Sequence, residues 1–247
     1  MRLFKKCKTI EPSPLQTVGA YEPYYSLADP LYRPYLEDGP LAEDLTRLKE
    51  DLPLTYPIDE FARAVQYTSA RQALSIPGDF IECGVYFGAC SHLLGLLLDR
   101  HKSDKTLWGF DSFEGLSKPN DNDLDVRTGK QFFHHHALNE PTYESVKELL
   151  SVHTCPIELV KGWIPHTFDI IKDKTFSFVY IDVDLYQPVK DCLEFLYPRL
   201  EKGGIMIIDD YGFPMTPGAR KAANEFFADK KESLIPFPTG QAMIIKH

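Results

Sequence analysis

Two short apolar runs, residues 176–181 and 204–208, stand out near the centre of the chain. Both are rich in β-branched and aromatic residues and nearly free of polar ones, which is typical of strands buried on both faces of a parallel sheet. Between them, apolar residues recur at helical spacing over 189–200, and Lys202 to Gly204 predict the end of that helix. The pattern therefore predicts a strand–helix–strand unit with a right-handed crossover.

Each of these runs ends in two carboxylates, Asp182 and Asp184 after the first and Asp209 and Asp210 after the second. Because the two strands point the same way, these side chains gather at the carboxyl ends, where open α/β sheets bind ligands. Alternation along an extended chain places Asp182 and Asp184 on one side. Carboxylate oxygens suit a hard divalent cation such as Mg²⁺ or Ca²⁺. The alternative, that Asp209 and Asp210 only cap a turn, does not explain the matching first pair.

Similar patterns predict the remaining elements. Strands and helices alternate, which predicts an α/β fold with a mostly parallel sheet, and a hairpin around Thr239 and Gly240 closes the chain. The predicted helices are 41–51, 58–75, 92–98, 143–153 and 218–230, and the further strands are 79–83, 106–110, 157–160, 234–238 and 241–246.

A turn with two glycines, Gly84 and Gly88, joins the first strand to the helix after it. Glycine permits a tight turn and close approach of the backbone to a ligand, and helix N-terminal N–H groups then face that ligand. The turn has Tyr86 where the dinucleotide fingerprint has its middle glycine. By itself the turn is equally typical of an ordinary strand-to-helix connection.

The second strand ends in Asp111, about 27 positions after Gly84. An acidic residue at this place can hydrogen-bond the hydroxyls of a ribose. The sequence has no GxxxxGK[ST] motif and no other phosphate-binding glycine pattern, which argues against a pyrophosphate or triphosphate cofactor. Together the turn and the acid predict a nucleoside cofactor without phosphate, such as S-adenosylmethionine.

Composition and charge narrow the class of protein. The net charge of -9 argues against a nucleic-acid or anionic-membrane partner, and no stretch approaches the roughly 20 apolar residues of a membrane span. The five cysteines form no CxxC pair, and the basic N-terminus lacks the apolar region of a signal peptide. We therefore expect reduced thiols and a cytoplasmic enzyme.

Residues 1–55 form an arm rich in proline and tyrosine, and we expect 56–247 to form the catalytic domain. Proline interrupts any long element in the arm, while its aromatic side chains favour packing against another surface. We expect that surface to be the active site of the same chain or a neighbouring subunit. The arm and the aromatic content favour a homo-oligomer, a dimer or larger.

A long polar connection over 121–139 contains His134, His135 and His136. Long loops in compact domains are often lids. Three adjacent histidines cannot easily face one metal ion from ordered backbone, so contact with an acceptor, with a partner or with solvent is favoured over a metal role.

Five segments carry a resemblance to a known family: ECGVYFGACS, LWGFDSFEGL, KGWIPHTF, YIDVDLYQP and IMIIDDYG. In this order they resemble the TylF/macrocin O-methyltransferase family, whose members are S-adenosylmethionine- and Mg²⁺-dependent sugar O-methyltransferases of antibiotic and glycan pathways. The resemblance covers about residues 58–227, and the DxD and DD pairs are its most specific part. It implies the Rossmann-like class I S-adenosylmethionine-dependent methyltransferase fold, seven-stranded, with helices on both faces, order 3-2-1-4-5-7-6 and strand 7 antiparallel.

The resemblance also implies roles for individual residues. Asp182, Asp209 and Asp210 would bind the metal, and Asp182 or Asp184 would act as the base. We expect Trp163 either to border the cofactor pocket or to pack beside it. The full set of residues that we expect at the cofactor is Glu82, Gly84, Tyr86, Gly88, Ser91, Asp111, Ser112, Trp163 and Asp182.

The expected reaction is methyl transfer to one of two neighbouring sugar hydroxyls bound by the cation, which would lower the pKa of the reacting hydroxyl. A catechol acceptor offers the same pair of oxygens and stays open. Two other classes also stay open, an iron- and 2-oxoglutarate-dependent hydroxylase of a related branch, and a module that binds S-adenosylmethionine or a sugar without catalysis.

Overall fold

A seven-stranded sheet forms the centre of the molecule, with the order β3-β2-β1-β4-β5-β7-β6. The first five strands in this order are parallel to their neighbours, while β7 pairs antiparallel with both β5 and β6. The computed structural model describes residues 39–52 and 58–247. The strands are β1 (Asp79–Cys83), β2 (Leu107–Asp111), β3 (Ile157–Lys161), β4 (Phe176–Ile181), β5 (Leu200–Ile208), β6 (Ile235–Pro236) and β7 (Ala242–Ile245).

Helices cover both faces of this sheet, as the apolar character of its central strands requires. One face of β1, β4 and β5 packs against the first three helices, and the other packs against two later ones. The helices are α1 (Gly39–Asp51), α2 (Glu60–Ala73), α3 (Ala89–Arg100), α4 (Tyr143–Leu150), α5 (Tyr186–Leu196) and α6 (Pro217–Phe227). The predicted fold class, strand order and antiparallel final strand are confirmed.

The central strand β4 aligns the carboxyl ends of β1 and β5 with its own. All six of its side chains are buried, and its last residue, Ile181, lies opposite both Cys83 of β1 and Ile208 of β5. The residues that follow these three positions therefore lie side by side at one edge. Backbone hydrogen bonds continue the alignment beyond the strands, from Asp182 N to Cys83 O and from Asp209 N to Ile181 O, both 2.8 Å.

Helix α1 packs on α2 and α3 through three leucines with at most 1% exposure, Leu41, Leu45 and Leu48. Its buried Asp44 accepts hydrogen bonds from the Tyr67 hydroxyl (2.7 Å) and from Arg100 Nε (3.1 Å). This part of the predicted N-terminal arm is therefore integrated into the core. The rest of the arm and its predicted boundary at residue 55 lie outside the described residues, so the predicted domain division stays a prediction.

Several element boundaries differ from the predicted ones, and the largest differences lie at the end of α5 and the start of β5. Helix α5 ends at Leu196 and is followed by a 3-10 turn, because Pro198 lacks the N–H and the space that a continuing helix needs. Strand β5 already begins at Leu200, so residues 202–204, predicted as the helix end, belong to the strand. The register between β4 and β5 shifts at this place, and Gly203, with a φ of 79°, allows the irregularity.

Four cysteines are buried free thiols, as the sequence predicts: Cys83, Cys90, Cys155 and Cys192. Cys7 lies outside the described residues. Among residues 39–52 and 58–247, no helix combines the length and the apolar character that crossing a membrane requires.

Candidate active site

Three carboxylates meet at the carboxyl edge of β4 and β5. Asp182, Asp184 and Asp210 each offer an oxygen within 4.8 Å of the other two. The backbone at Asp184 and Asp210 has φ values of 58° and 59°, a region that residues other than glycine rarely adopt and that occurs often at functional sites. The predicted gathering of carboxylates at this edge is confirmed for these three.

Burial and mutual repulsion make the ionised forms of these groups unfavourable. Burial raises the pKa of Asp184 to about 7, with a further contribution from the charge of Asp209. Burial and then the charges of neighbouring aspartates hold the pKa values of Asp182 and Asp210 well above their usual range. A divalent cation among the three would offset this repulsion, and the all-oxygen ligand set suits Mg²⁺.

Asp209 has a different environment from the other three aspartates. Its Oδ2 accepts a hydrogen bond from the Tyr180 hydroxyl, with Arg63 Nη2 at 3.7 Å, and its Oδ1 accepts one from Asp210 N at 3.0 Å. The three carboxylates that the metal-free structure groups are Asp182, Asp184 and Asp210. Asp209 is attracted to the hydroxyl and the guanidinium instead, and the expected ligand set of Asp182, Asp209 and Asp210 stays a prediction.

The glycine turn after β1 lies directly against this edge. Gly84 has a φ of 90°, and a Cβ atom there would lie 1.7 Å from the carbonyl oxygen of Asp182. Gly88 has a φ of 83° and precedes the first turn of α3. The backbone of the turn thus lies directly against the backbone of Asp182, an approach that only glycine permits at position 84.

Asp111, expected to bind a ribose, also stabilises this turn. Its Oδ2 accepts hydrogen bonds from Val85 N (2.8 Å) and Tyr86 N (2.9 Å), and its Oδ1 accepts one from Phe113 N (2.7 Å). A carboxylate oxygen has two lone pairs, so Oδ1 retains the capacity for another hydrogen bond. The neighbouring Ser112 donates to Gly115 O at 2.8 Å and so orders the connection that follows.

One carboxylate oxygen of Glu82 is buried without a hydrogen-bond partner among the described residues. The side chain is fully buried in β1, and its Oε2 accepts a hydrogen bond from the Ser91 hydroxyl. Within the described part of the chain, Oε1 has no hydrogen-bond partner. Burial raises the pKa of Glu82 to about 8. Buried polar atoms without partners are rare in native proteins, so an unpaired oxygen beside the glycine turn suits a polar group of a bound cofactor.

The long loop after β2 borders the site. The His135 ring lies 6.4 Å from the Trp163 ring, between centroids, and His136 Nδ1 lies 2.6 Å from Glu114 O. Tyr86, in the glycine turn, donates from its hydroxyl to Glu140 Oε2 at 3.1 Å. Trp163 is half-buried at the end of β3. The loop thus contacts two of the residues expected at the cofactor.

Three further residues organise this site, and the sequence pattern alone does not single them out. Arg63 reaches it from α2, and Tyr180 and Gln241 form a hydrogen-bonded pair beneath it, with Gln241 Nε2 donating to the Tyr180 hydroxyl at 2.8 Å. Arg63 Nη2 donates to the same hydroxyl at 3.2 Å. The available signal was the position of Tyr180 two residues before Asp182 in an otherwise apolar strand.

The sheet order and the comparisons with solved structures define the class of protein. The fold is that of class I S-adenosylmethionine-dependent O-methyltransferases. The crystal structure of CalS11, a calicheamicin methyltransferase, aligns with a TM-score of 0.68 at 24% identity and covers 84% of this chain and 93% of its own. The O-methyltransferase NovP aligns with a TM-score of 0.64 at 25% identity, covering 75% of this chain and 79% of its own. Residues 58–236 match the macrocin-O-methyltransferase (TylF) family, and the chain belongs to that family.

Two curated relatives extend the comparison. The chain is 30% identical over 161 residues to demethyldecarbamoylnovobiocin O-methyltransferase of Streptomyces niveus, covering 62% of this chain. It is 32% identical over 158 residues to mycinamicin III 3''-O-methyltransferase of Micromonospora griseorubida, covering 61% of this chain. The matched segments span 60% and 61% of the lengths of these two relatives.

Proposed function

We propose that the protein transfers a methyl group from S-adenosylmethionine to a hydroxyl of a sugar or glycosylated small molecule, with Mg²⁺ at the carboxylate cluster. The observation that supports this most is the convergence of Asp182, Asp184 and Asp210 beside a glycine turn. The names of the curated relatives, O-methyltransferases of demethyldecarbamoylnovobiocin and of mycinamicin III, support the acceptor class. A cytoplasmic location and a homo-oligomer stay predictions from the sequence.

The residues present fit the proposed cofactor. The close approach at Gly84 leaves its backbone beside the strand edge, and Glu82 Oε1 needs a partner that a polar group of the cofactor would supply. Asp111 Oδ1 retains a free lone pair for a ribose hydroxyl. Ser91 orients the Glu82 carboxyl group, and Trp163 lies where the loop contacts the end of β3.

The same residues fit a hard cation. Asp182, Asp184 and Asp210 would hold it, and when bound it would supply a positive charge that lowers the pKa of an acceptor hydroxyl. Asp184 is the residue that we assign to take the proton, with Asp182 as the neighbouring alternative, because both carboxylates lie in the cluster beside which the acceptor hydroxyl would bind. The deprotonated oxygen would then attack the methyl carbon of the cofactor in line, with much of the rate supplied by positioning.

The ligand set argues against the alternative hydroxylase. Iron- and 2-oxoglutarate-dependent oxygenases typically hold iron with two histidines and one carboxylate. The group at this edge consists of three carboxylates, and the loop histidines make other contacts, such as that of His136 with Glu114 O. Oxygen ligands alone favour Mg²⁺ over iron.

Titration calorimetry tests the proposal directly. We expect S-adenosylhomocysteine to bind the wild-type protein, and Mg²⁺ to bind at a separate site that the Asp184→Asn variant weakens at least tenfold. Asp121→Asn, an exposed residue of the adjoining loop, is the control and should leave both affinities unchanged. Absence of nucleoside binding to folded protein would overturn the methyltransferase proposal. Nucleoside binding with unchanged Mg²⁺ affinity in Asp184→Asn would overturn the metal assignment.

A further inference from the structure

Two buried histidines form a polar chain that is separate from the candidate active site. His92 of α3 and His153, after α4, place ring nitrogens 2.8 Å apart, Nδ1 of the first against Nε2 of the second. Their outer nitrogens each contact a carboxylate: His92 Nε2 lies 3.0 Å from Asp51 Oδ2, and His153 Nδ1 lies 2.9 Å from Asp99 Oδ2. The two histidine side chains are at most 1% exposed.

Two neutral imidazole rings cannot satisfy all the hydrogen bonds of this polar chain. Ionised carboxylates only accept hydrogen bonds, so the outer nitrogens of His92 and His153 must both carry hydrogens. In a neutral ring the other nitrogen then has no hydrogen and carries a lone pair. The lone pairs of His92 Nδ1 and His153 Nε2 would face each other, with the two nitrogens 2.8 Å apart. One additional positive charge is required, and either a shared proton or a metal ion supplies it.

The groups around His153 favour a metal ion. Asp99, His153 and Cys155 each offer a ligand atom, and these atoms lie within 4.8 Å of one another. They are the oxygen, nitrogen and sulfur ligands that Zn²⁺ accepts in proteins. Cys155 is buried, and its thiol lies 3.8 Å from Gly95 O and close enough to the Asp99 carboxylate to hydrogen-bond it.

Each of these side chains is oriented by further contacts, as is usual for metal ligands. Asp99 Oδ1 accepts hydrogen bonds from Thr154 N (3.0 Å), Thr154 Oγ1 (2.6 Å) and Cys155 N (2.7 Å). The His153 ring occupies space that only glycine leaves, since a Cβ at Gly95 would lie 2.6 Å from its Nε2. The orientation of both residues is therefore fixed before any ion binds.

We propose that Asp99, His153 and Cys155 form a second metal site, for a divalent transition-metal ion such as Zn²⁺. The ion would take the place of the hydrogen on His153 Nδ1. His153 Nε2 then carries a hydrogen and donates to His92 Nδ1, and His92 Nε2 donates to Asp51, so every ring nitrogen is satisfied. The cation, the Asp99 carboxylate and the Cys155 thiolate together are neutral.

The proton balance of binding follows from this arrangement. The metal-free rings hold three nitrogen-bound hydrogens, counting the shared one, and the metal-bound rings hold two. The Cys155 thiol loses its proton to become a ligand. Binding therefore releases about two protons to the solvent. Calorimetry in buffers of different ionisation enthalpy measures this number.

Cobalt titration of the full chain, treated with a chelator beforehand, tests the site. We expect one equivalent of Co²⁺ to produce a thiolate-to-cobalt charge-transfer absorption that Zn²⁺ then abolishes. Cys155→Ala should eliminate the absorption, while Cys192→Ala, a buried cysteine on α5, should retain it. Asp184→Asn should also retain it, because the active-site carboxylates contain no sulfur. The His92→Gln variant should weaken Co²⁺ binding by about 10–100-fold.

The outcome that overturns the proposal is a wild-type protein, folded by circular dichroism, that shows no charge-transfer absorption with stoichiometric Co²⁺. The shared proton would then supply the charge, and nitrogen NMR of labelled histidine would detect one hydrogen between His92 and His153. The test requires no enzymatic turnover, so its result is independent of the proposed methyltransferase function.

Discussion

Gly84 shows how one residue connects the two halves of the sheet edge. Its N–H donates to Phe110 O at 2.8 Å, and its α-carbon faces the backbone of Asp182. The need for a glycine here could be predicted from the motif. Its physical reason could not, because the obstructing atom belongs to a residue 98 positions later in the chain.

Gly84→Ala should therefore disrupt folding far more than an ordinary glycine substitution. Gly129→Ala is the matched control, because Gly129 also has a positive φ, of 66°, but has open space around it. We expect about 1–2 kcal/mol of destabilisation for the control from backbone strain alone. For Gly84→Ala we expect more than about 4 kcal/mol, or no folded protein. Urea unfolding measures both, and equal losses would contradict the argument.

Tyr180 is the second residue whose role depends on distant partners. Its hydroxyl accepts from Arg63 and Gln241 and donates to Asp209, and all of these lie outside its own strand. The sequence predicts Asp209 at the strand end but contains no local sign that a tyrosine and an arginine engage it. For this reason Asp209 does not lie in the group of three carboxylates that the metal-free structure brings together.

Tyr180→Phe leaves Gln241 and Arg63 without this buried acceptor. The expected cost is about 1–3 kcal/mol in the free energy of unfolding. Tyr186→Phe, which removes a hydroxyl bonded to the exposed Glu225, should cost less than about 1 kcal/mol. Chemical denaturation of the two variants side by side checks the difference, and a Tyr180→Phe cost as small as that of Tyr186→Phe would refute the buried-network interpretation.

At the scale of elements, the sequence predicts strands better than the ends of helices. The predicted bounds of the strand 176–181 agree with the observed ones. An uninterrupted apolar stretch of this kind fits only a strand that is buried on both faces of the sheet. Helix α5, in contrast, begins three residues before its predicted start at residue 189. The first N–H of that helix donates to Asp123 Oδ1 at 2.7 Å, and Asp123 lies 63 positions earlier, so no local pattern reveals it.

Asp123 also anchors the long loop. Its Oδ2 accepts from Asn120 N at 2.8 Å, and its buried carboxylate fits against Gly218, where a Cβ would lie 2.0 Å from Oδ1. Asp123→Ala should release the loop while α5 and the sheet stay folded. Hydrogen exchange in residues 115–140 should accelerate at least tenfold, because the loop loses the buried hydrogen bond by which Asp123 holds it to Tyr186 N.

Asp121→Ala, an exposed residue of the same 3-10 turn, is the control for this loop prediction. Mass spectrometry of exchanged peptides resolves the two variants. Equal protection of residues 115–140 in Asp123→Ala and the wild type would show that other contacts hold the loop.

For the whole molecule, the raised carboxyl pKa values determine how stability depends on pH. The folded pKa is about 7 for Asp184 and about 8 for Glu82, whereas unfolded carboxyl groups titrate near 4. Between these values the folded state binds more protons than the unfolded state. The stability of the metal-free protein should therefore fall as the pH rises from about 4 to about 8.

Thermal unfolding with a chelator, and then with Mg²⁺, measures this dependence. Each unit of raised pKa corresponds to about 1.4 kcal/mol, so the melting temperature should fall by several degrees across the window. Mg²⁺ favours the ionised carboxylates and should restore stability most at the higher pH. Asp184→Asn should flatten the curve, and a melting temperature that rises steadily with pH in the chelator would contradict the prediction.

The position of α1 bears on how this protein can be recombined with its relatives. The family match begins at residue 58, whereas α1 ends at Asp51 and packs three leucines into the core. A chimera joined at residue 58 would combine one parent's α1 with another parent's α2 and α3. Residues 39–52 therefore belong with the catalytic unit in any exchange of segments, and crossover points that keep them with α3 should give the folded hybrids.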